Sequence, residues 1–355
     1  MEKTCRSYAT GGGRSDVKIL VLNPGSSSLK HACYEFPQGA VVPESGPIDA
    51  VGIRVVHGGS RFVTPVRVDD SVVEEIGKVA ELAPLHNPIA LRVIEETRTT
   101  LPGVPIIAVF DTAFHQSMPP LAARYAVPED LGVRRFGFHG ISYSYIASRV
   151  DAKRHIVCHL GNGASVCALL DGRSVDTSMG FTPMEGLVMG SRAGDLDPGM
   201  LLYLMHQGRS EAELHDLLNH RSGLLGVSGS SGDVRELETA ARAGDANAAF
   251  ALELFAYRVA KYIGAYAAVL GGVDALTFTA GIGEHSAFLR SRICHRLGFL
   301  GIEIDEGLNG AARTDERSIS RGAVSVRVIP TNEELEIARM AFQELSGRPA
   351  NPSVG

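Results

Sequence analysis

Short apolar runs alternate along the chain with longer stretches whose apolar residues recur every three or four positions. That alternation predicts an α/β fold. The first run, Ile19–Leu22, reads as a buried strand that stops at Asn23-Pro24-Gly25. Further strands are expected at Pro105–Phe110, His155–His159, Val166–Leu170, Ala275–Thr279 and Val324–Ile329. Asn87 caps a helix that Pro88 starts and that runs to about Thr99. Another helix opens at Asp197-Pro198, and Ser210-x-x-Glu213 is a capping box for a third. Asp245 caps a long alanine-rich helix that Gly271-Gly272 ends. Glu253, Arg258 and Lys261 give that helix too many charges to span a membrane. Asn332 caps a final amphipathic helix to about Leu345, and the polar, glycine-rich Met1–Asp16 reads as a flexible tail.

One pattern occurs twice. Ile19–Lys30 (ILVLNPGSSSLK) and Ile156–Cys167 (IVCHLGNGASVC) each join an apolar strand, a Gly/Ser/Asn turn and a second strand. Two copies about one domain apart predict a duplicated fold with a phosphate-binding turn facing in from each half. In the first turn Gly25 lets backbone N–H groups approach a ligand, Ser26–Ser28 add donors and Lys30 adds a charge. A hairpin turn with a solvated lysine fits the same residues. A third glycine turn, Thr279–Ser286 (TAGIGEHS), lacks the last glycine of a dinucleotide fingerprint, and no GxxxxGK[ST] loop occurs.

At 355 residues the chain is long enough for two domains. A hydrophobic content of 45% with 21% charged residues is that of a soluble globular protein. The net charge of −6 argues against a nucleic-acid or membrane surface, so an anionic substrate needs a local basic cluster. Five scattered cysteines without a CxxC pair read as reduced thiols of a cytoplasmic protein.

Five more segments concentrate reactive side chains beside glycine: RVVHGG (Arg54–Gly59), APLHNP (Ala83–Pro88), FDTAFHQSMP (Phe110–Pro119), RRFGFHGISYSY (Arg134–Tyr145) and Asp176–Gly199 with Arg192 and Asp195. His57, His115, His206, His215 and His220 read as packed or solvated histidines. No HExxH or zinc-spaced Cys/His pair occurs, and no GxSxG elbow. What remains is several cations beside three phosphate-sized turns, which points to phosphoryl transfer.

In these segments the chain resembles the acetate kinases, of the superfamily that also holds sugar kinases, actin and the heat-shock ATPases. The matching stretches also include NPGSSSLK, HLGNGASV, DTSMGFTPMEGL, GSRAGDLDPG, FTAGIGE and IPTNEEL, in family order from Asn23 to Leu335. The resemblance implies two duplicated ribonuclease-H-like (actin-like ATPase) α/β domains around a central cleft, with 17–115 plus 335–350 as the first and 116–334 as the second. It implies transfer of phosphate from ATP to acetate, giving ADP and acetyl phosphate, with Mg²⁺ or in its place Mn²⁺, in a homodimer. Asn23 and Glu333 would place the metal, and Arg54 would hold the acetate carboxylate. Val56, Leu85, Phe138 and Pro183 would surround its methyl group. Asp111, His139 and Arg192 would be catalytic. The nucleotide would lie on Lys30, on His159, Leu160, Gly161, Asn162 and Gly163, on Asp233, Val234 and Arg235, and on Gly281, Ile282, Gly283, Glu284 and His285.

Three departures from the family pattern stand out. Far fewer residues separate Lys30 from Arg54, so an antiparallel strand pair and a helix of the first domain are expected to be shortened or missing. Ile141-Ser142-Tyr143 replaces Thr-Ser-His after FHG. His285 and Gly232 stand where other residues are usual. Propionate kinase is the nearest rival reading, and a degenerate nucleotide-binding regulatory protein is another.

Overall fold

The first apolar run becomes β1 (Val17–Pro24), which turns back as β2 (Leu29–Phe36) and then β3 (Ala40–Val41). A computed structural model of the chain describes residues 16–25, 29–84 and 86–347. The expected tail up to residue 15, the serines Ser26–Ser28 and Leu85 therefore lie outside the described residues. The first loop is a hairpin, with Asn23 opposite Lys30 and Pro24 opposite Leu29. β4 (Ala50–Val55) and β6 (Ile106–Phe110) run parallel to β1, and β5 (Val66–Arg67) closes the edge antiparallel, giving the order β3-β2-β1-β4-β6-β5.

The second sheet repeats this design. β7 (Arg154–Leu160), β8 (Ala164–Leu170) and β9 (Arg173–Thr177) form the antiparallel meander. β10 (Ala275–Thr279) and β12 (Ser325–Val328) run parallel to β7, with β11 (Arg317–Ser318) antiparallel at the edge. Reversed, its order β9-β8-β7-β10-β12-β11 matches the first sheet strand for strand. The duplication read from two short segments extends to all six strands of each sheet.

Central strands are buried on both faces, so they read as continuous apolar runs. In β6 all five residues are buried. On one face of the first sheet Ile53, Val55 and Phe110 pack with Ile76, Val93 and Ile94 of helices Asp70–Lys78 and Asn87–Thr100. On the other, Ile19, Val21 and Val109 pack with Ile337, Ala338 and Ala341 of helix Glu333–Leu345. The second sheet lies against helix Ala246–Leu270 through Leu252, Phe255 and Val259, and against helix Gly140–Ala147 through Tyr143 and Ile146.

Caps fall where the sequence places them at Asp197, Ser210, Asp245 and Asn332, and Gly271 ends the long helix in the left-handed conformation. Asn87 differs. It is the first helical residue, with His86 at the cap position and no side-chain cap. Its buried amide instead accepts from the His57 backbone N–H (3.0 Å) and donates to the His57 carbonyl (2.9 Å). Two buried bonds across the fold outweigh one at a helix end. Helix Pro198–His206 buries none of its residues and leaves Leu202, Tyr203 and Met205 exposed. Among the described residues no helix is long and apolar enough to cross a membrane.

Candidate active site

Ligands of open α/β sheets gather beyond the carboxyl ends of the parallel strands. Asn23 lies near the end of β1, Arg54 near the end of β4, and Asp111 directly after β6. The register brings the three together. Arg54 donates to Asp111 Oδ2 from Nε (3.0 Å) and Nη2 (2.6 Å), and from Nη1 to Asn23 Oδ1 (3.3 Å). The Asn23 amide donates to Glu333 (3.2 Å) and Glu334 (2.9 Å) at the start of the last helix. Burial works against charge on Arg54, but the Asp111 and Glu333 carboxylates outweigh it and hold the guanidinium ionised. Burial pushes the Asp111 carboxyl up while Arg54 pulls it down. Loss of solvent pushes Glu333 up too, yet Arg54, His159, Asn23 and Lys30 together hold it below the ordinary range.

One acceptor here has no protein partner. Asp111 Oδ1 is buried without a hydrogen bond. Two carboxylates and an amide oxygen form a hard donor set of the kind Mg²⁺ uses, with water and substrate phosphate completing its shell. Among the described residues no group of three or more His, Cys, Asp or Glu side chains forms a closed metal cage.

The second cluster is built on imidazoles and one guanidinium. His139 precedes helix Gly140–Ala147 with a left-handed φ of 59°, the kind of strained backbone that recurs at functional sites. Gly140 follows it tightly, since a Cβ there would stand 1.9 Å from the Asp111 carbonyl oxygen. His139 Nδ1 pairs with Ser165 Oγ of β8 at 2.8 Å, and its ring stacks on His159 at 4.0 Å between centroids. Across from it, Arg192 donates to the Pro183 carbonyl. A Cβ on Gly163 would lie 2.7 Å from Arg192 Nη2 and 3.4 Å from His139 Nε2, so both donors converge beside this glycine. Among the described residues no carboxylate pairs with Arg192, and burial alone lowers its pKa to about 10. A half-buried cation without a carboxylate partner is stabilised by an anionic ligand.

The charges of Arg54 and Arg192 both bear on His139 and on His86, which links the two clusters. Burial first, then those cations, lowers His86 to about 4, and its Nδ1 is buried without a partner. His139 is likewise held well below its ordinary value, first by burial. Val56 and Phe138 are buried in one apolar cluster beside this ground.

The predicted nucleotide segments meet along the second sheet. His159 and Leu160 end β7, and Gly161–Gly163 form its turn to β8. A Cβ on Gly161 would touch that of Ala280, which opens helix Ala280–His285 carrying Gly281, Ile282, Gly283 and Glu284. Gly190 receives the approach of both Asn162 and Gly232, next to Asp233 and the start of helix Val234–Arg242. Ser286 Oγ donates to Glu238 of that helix and closes the ring. Asp233 and Arg235 spend their charge on each other at the surface, and His285 Nδ1 pairs with the Gly281 carbonyl at 2.8 Å. Lys30 projects from β2 beside an open depression of about 440 Å³ lined by Leu29, His31, Tyr34 and Glu334.

The sequence reading left His86, Glu334 and Ser165 without roles. His86 sits in APLHNP beside a predicted helix start, a signal that gave no direction for its ring. Glu334 follows Glu333 in IPTNEEL, and only the turn of the helix shows that both face Asn23. His57 and His115 are buried, as packed histidines should be; His115 pairs with Ser174 Oγ (2.8 Å) and the Phe138 carbonyl (2.9 Å).

A family model described as the acetokinase family matches residues 35–339. The chain belongs to the acetokinase family. The acetate kinase of Halothermothrix orenii is 51% identical over 390 aligned positions that take in 91% of this chain and 98% of the relative. That span exceeds the 355 residues here, so the relative carries residues this chain lacks. Among solved structures, the acetate kinase of Porphyromonas gingivalis superposes with a TM-score of 0.85 at 39% identity, covering 93% of this chain and all of that one. A propionate kinase from Francisella tularensis gives 0.85 at 37%, covering 91% and 98%.

Proposed function

We propose that the protein is an acetate kinase that passes the γ-phosphoryl group of ATP to acetate in one in-line step, reversibly. The observation that carries this reading is the meeting of Arg192, half-buried and with no carboxylate partner among the described residues, with His139 beside Gly163 and within the field of Arg54. Phosphoryl transfer spreads charge over three equatorial oxygens, so the protein chiefly positions and neutralises. Arg192 and the neutral imidazole of His139 would donate to those oxygens, and the spare N–H groups of Arg54 to the carboxylate. Val56 and Phe138, with Leu85 and Pro183, would enclose the methyl group.

Acetate is already ionised at neutral pH, with a pKa near that of a glutamate side chain (about 4.3). No base is needed, and Asp111 serves to hold Arg54. Asn23, Asp111 and Glu333 would hold Mg²⁺, with Lys30 nearby. Its chemistry would be to neutralise phosphate charge. ATP would lie along the His159–Gly163 turn, Asp233–Arg235 and Gly281–His285.

A hydroxamate trap with ATP and Mg²⁺ tests the reading on acetate, propionate and butyrate. Acyl phosphate from acetate at the highest kcat/KM is expected; none from any acid would refute a carboxylate kinase. One methylene changes pocket affinity by about 1–3 kcal/mol, so a preference for propionate would shift the substrate and keep the reaction. We further propose a homodimer that covers the apolar helix Pro198–His206. A monomer in sedimentation at micromolar concentration would reject it. A reducing, cytoplasmic setting suits the buried free thiols of Cys33, Cys158, Cys167 and Cys294.

A further inference from the structure

We propose that Tyr143 is a positioning residue that fixes the tautomer of His139 through Ser165, so that His139 Nε2 carries a proton and aims it at the ground shared with Arg192. This rests on the kinase reading for its purpose, and on geometry for its content. Tyr143 lies one turn into helix Gly140–Ala147. Its ring is fully buried among Phe114, His115 and His159. Its hydroxyl is hydrogen-bonded to Ser165 Oγ, which lies 2.8 Å from His139 Nδ1.

Counting protons settles the direction of the chain. A phenol in this apolar setting stays protonated, since burial raises its pKa well above the ordinary value. Ser165 Oγ is the one acceptor beside it among the described residues. The phenol O–H therefore donates to Ser165. The buried serine O–H, whose other neighbour among its hydrogen bonds is His139 Nδ1, donates onward to that nitrogen, since accepting from both sides would leave it without an acceptor. A neutral imidazole that accepts at Nδ1 carries its proton on Nε2.

The opposite tautomer would work against the site. A bare Nε2 lone pair beside Gly163 would turn an acceptor onto the ground it shares with Arg192 and repel an anionic ligand there. With Nε2 protonated, imidazole and guanidinium present donors side by side, which suits an anionic oxygen. Ser142, one residue earlier, serves the stacked partner ring: its Oγ pairs with His159 Nδ1 and with Thr331 Oγ1, each at 2.9 Å.

The test is ¹⁵N-histidine NMR of the full chain, with the His139 signals identified by their loss in His139→Asn. The wild type should show the Nε2–H pattern. Tyr143→Phe keeps the ring and lets Ser165 accept as well as donate, so both tautomers should appear. Its kcat should fall about tenfold, the worth of one buried hydrogen bond, with KM for ATP unchanged. Ser165→Ala should shift the same signals by a second route. An Nδ1–H pattern in the wild type, or wild-type signals in both variants, would overturn the proposal. A wild type that makes no acyl phosphate yet shows the Nε2–H pattern would reject the kinase reading and leave this wiring in place.

Discussion

The two sheets share one strand order, yet their carboxyl ends carry opposite electrostatics. At the first, Arg54, Asp111, Asn23 and Glu333 bond one another, so the one guanidinium is already committed to carboxylates before any ligand arrives. At the second, His139 and His159 stay neutral and Arg192 stays unpaired. Duplication copied the scaffold and left each copy free to take different chemistry. One end is preset by its own ion pairs, whereas the other is completed by what it binds.

Removing Arg192 should break the contrast hardest. Arg192→Ala is expected to lower kcat by about 10³–10⁵, as for other arginines at a transferring phosphoryl group, with a smaller change in KM for ATP. Turnover like that of the wild type would take Arg192 out of the mechanism. Next comes Arg54→Ala, which leaves Asp111 buried without its cation. Breaking a buried pair in this way costs about 3–5 kcal/mol, readable as a lower urea midpoint. KM for the carboxylate should rise as well; a rise confined to ATP would contradict the assignment of Arg54.

Gly163→Ala probes the second end sterically. Its methyl group would stand 2.7 Å from Arg192 Nη2, and a displacement of about 1 Å there costs about 10² in kcat. An unchanged kcat would show that the guanidinium position is not critical. The smallest effect per group is the dependence on pH. At the first end the raised Asp111 and lowered Glu333 oppose each other. Elsewhere the buried histidines act together: His159 and His115 are lowered to about 4 and His155 to about 3, each first by burial.

Between about pH 6.5 and 4 the unfolded chain therefore binds more protons than the folded one, and stability is lost as pH falls through that window. The full effect is about 1.4 kcal/mol per histidine per pH unit. A urea midpoint that stays flat or rises from pH 6.5 to 5 would break this account.

Much of the fold was legible because central strands are unbroken apolar runs: β10 falls on Ala275–Thr279, as read. Helix ends were legible where a short polar side chain caps its own turn. Asn87 was not, because its amide is spent on His57, thirty residues away in sequence. The first loop illustrates the limit differently. It is a hairpin, and its Lys30 bears on Glu333 and His159, interactions across the cleft that no local pattern encodes. Links such as Tyr143 to Ser165 depend on the register between a helix and a strand, which no linear pattern encodes.

Helix Glu333–Leu345 has a consequence for synthesis. The β1, β4 and β6 residues it covers are translated more than two hundred residues earlier. At 5–20 residues per second that wait is roughly 10–45 s. Throughout it Ile19, Val21 and Val109 await the residues that cover them, so the nascent first half carries open apolar surface, and a message cut short before this helix yields a product prone to aggregate.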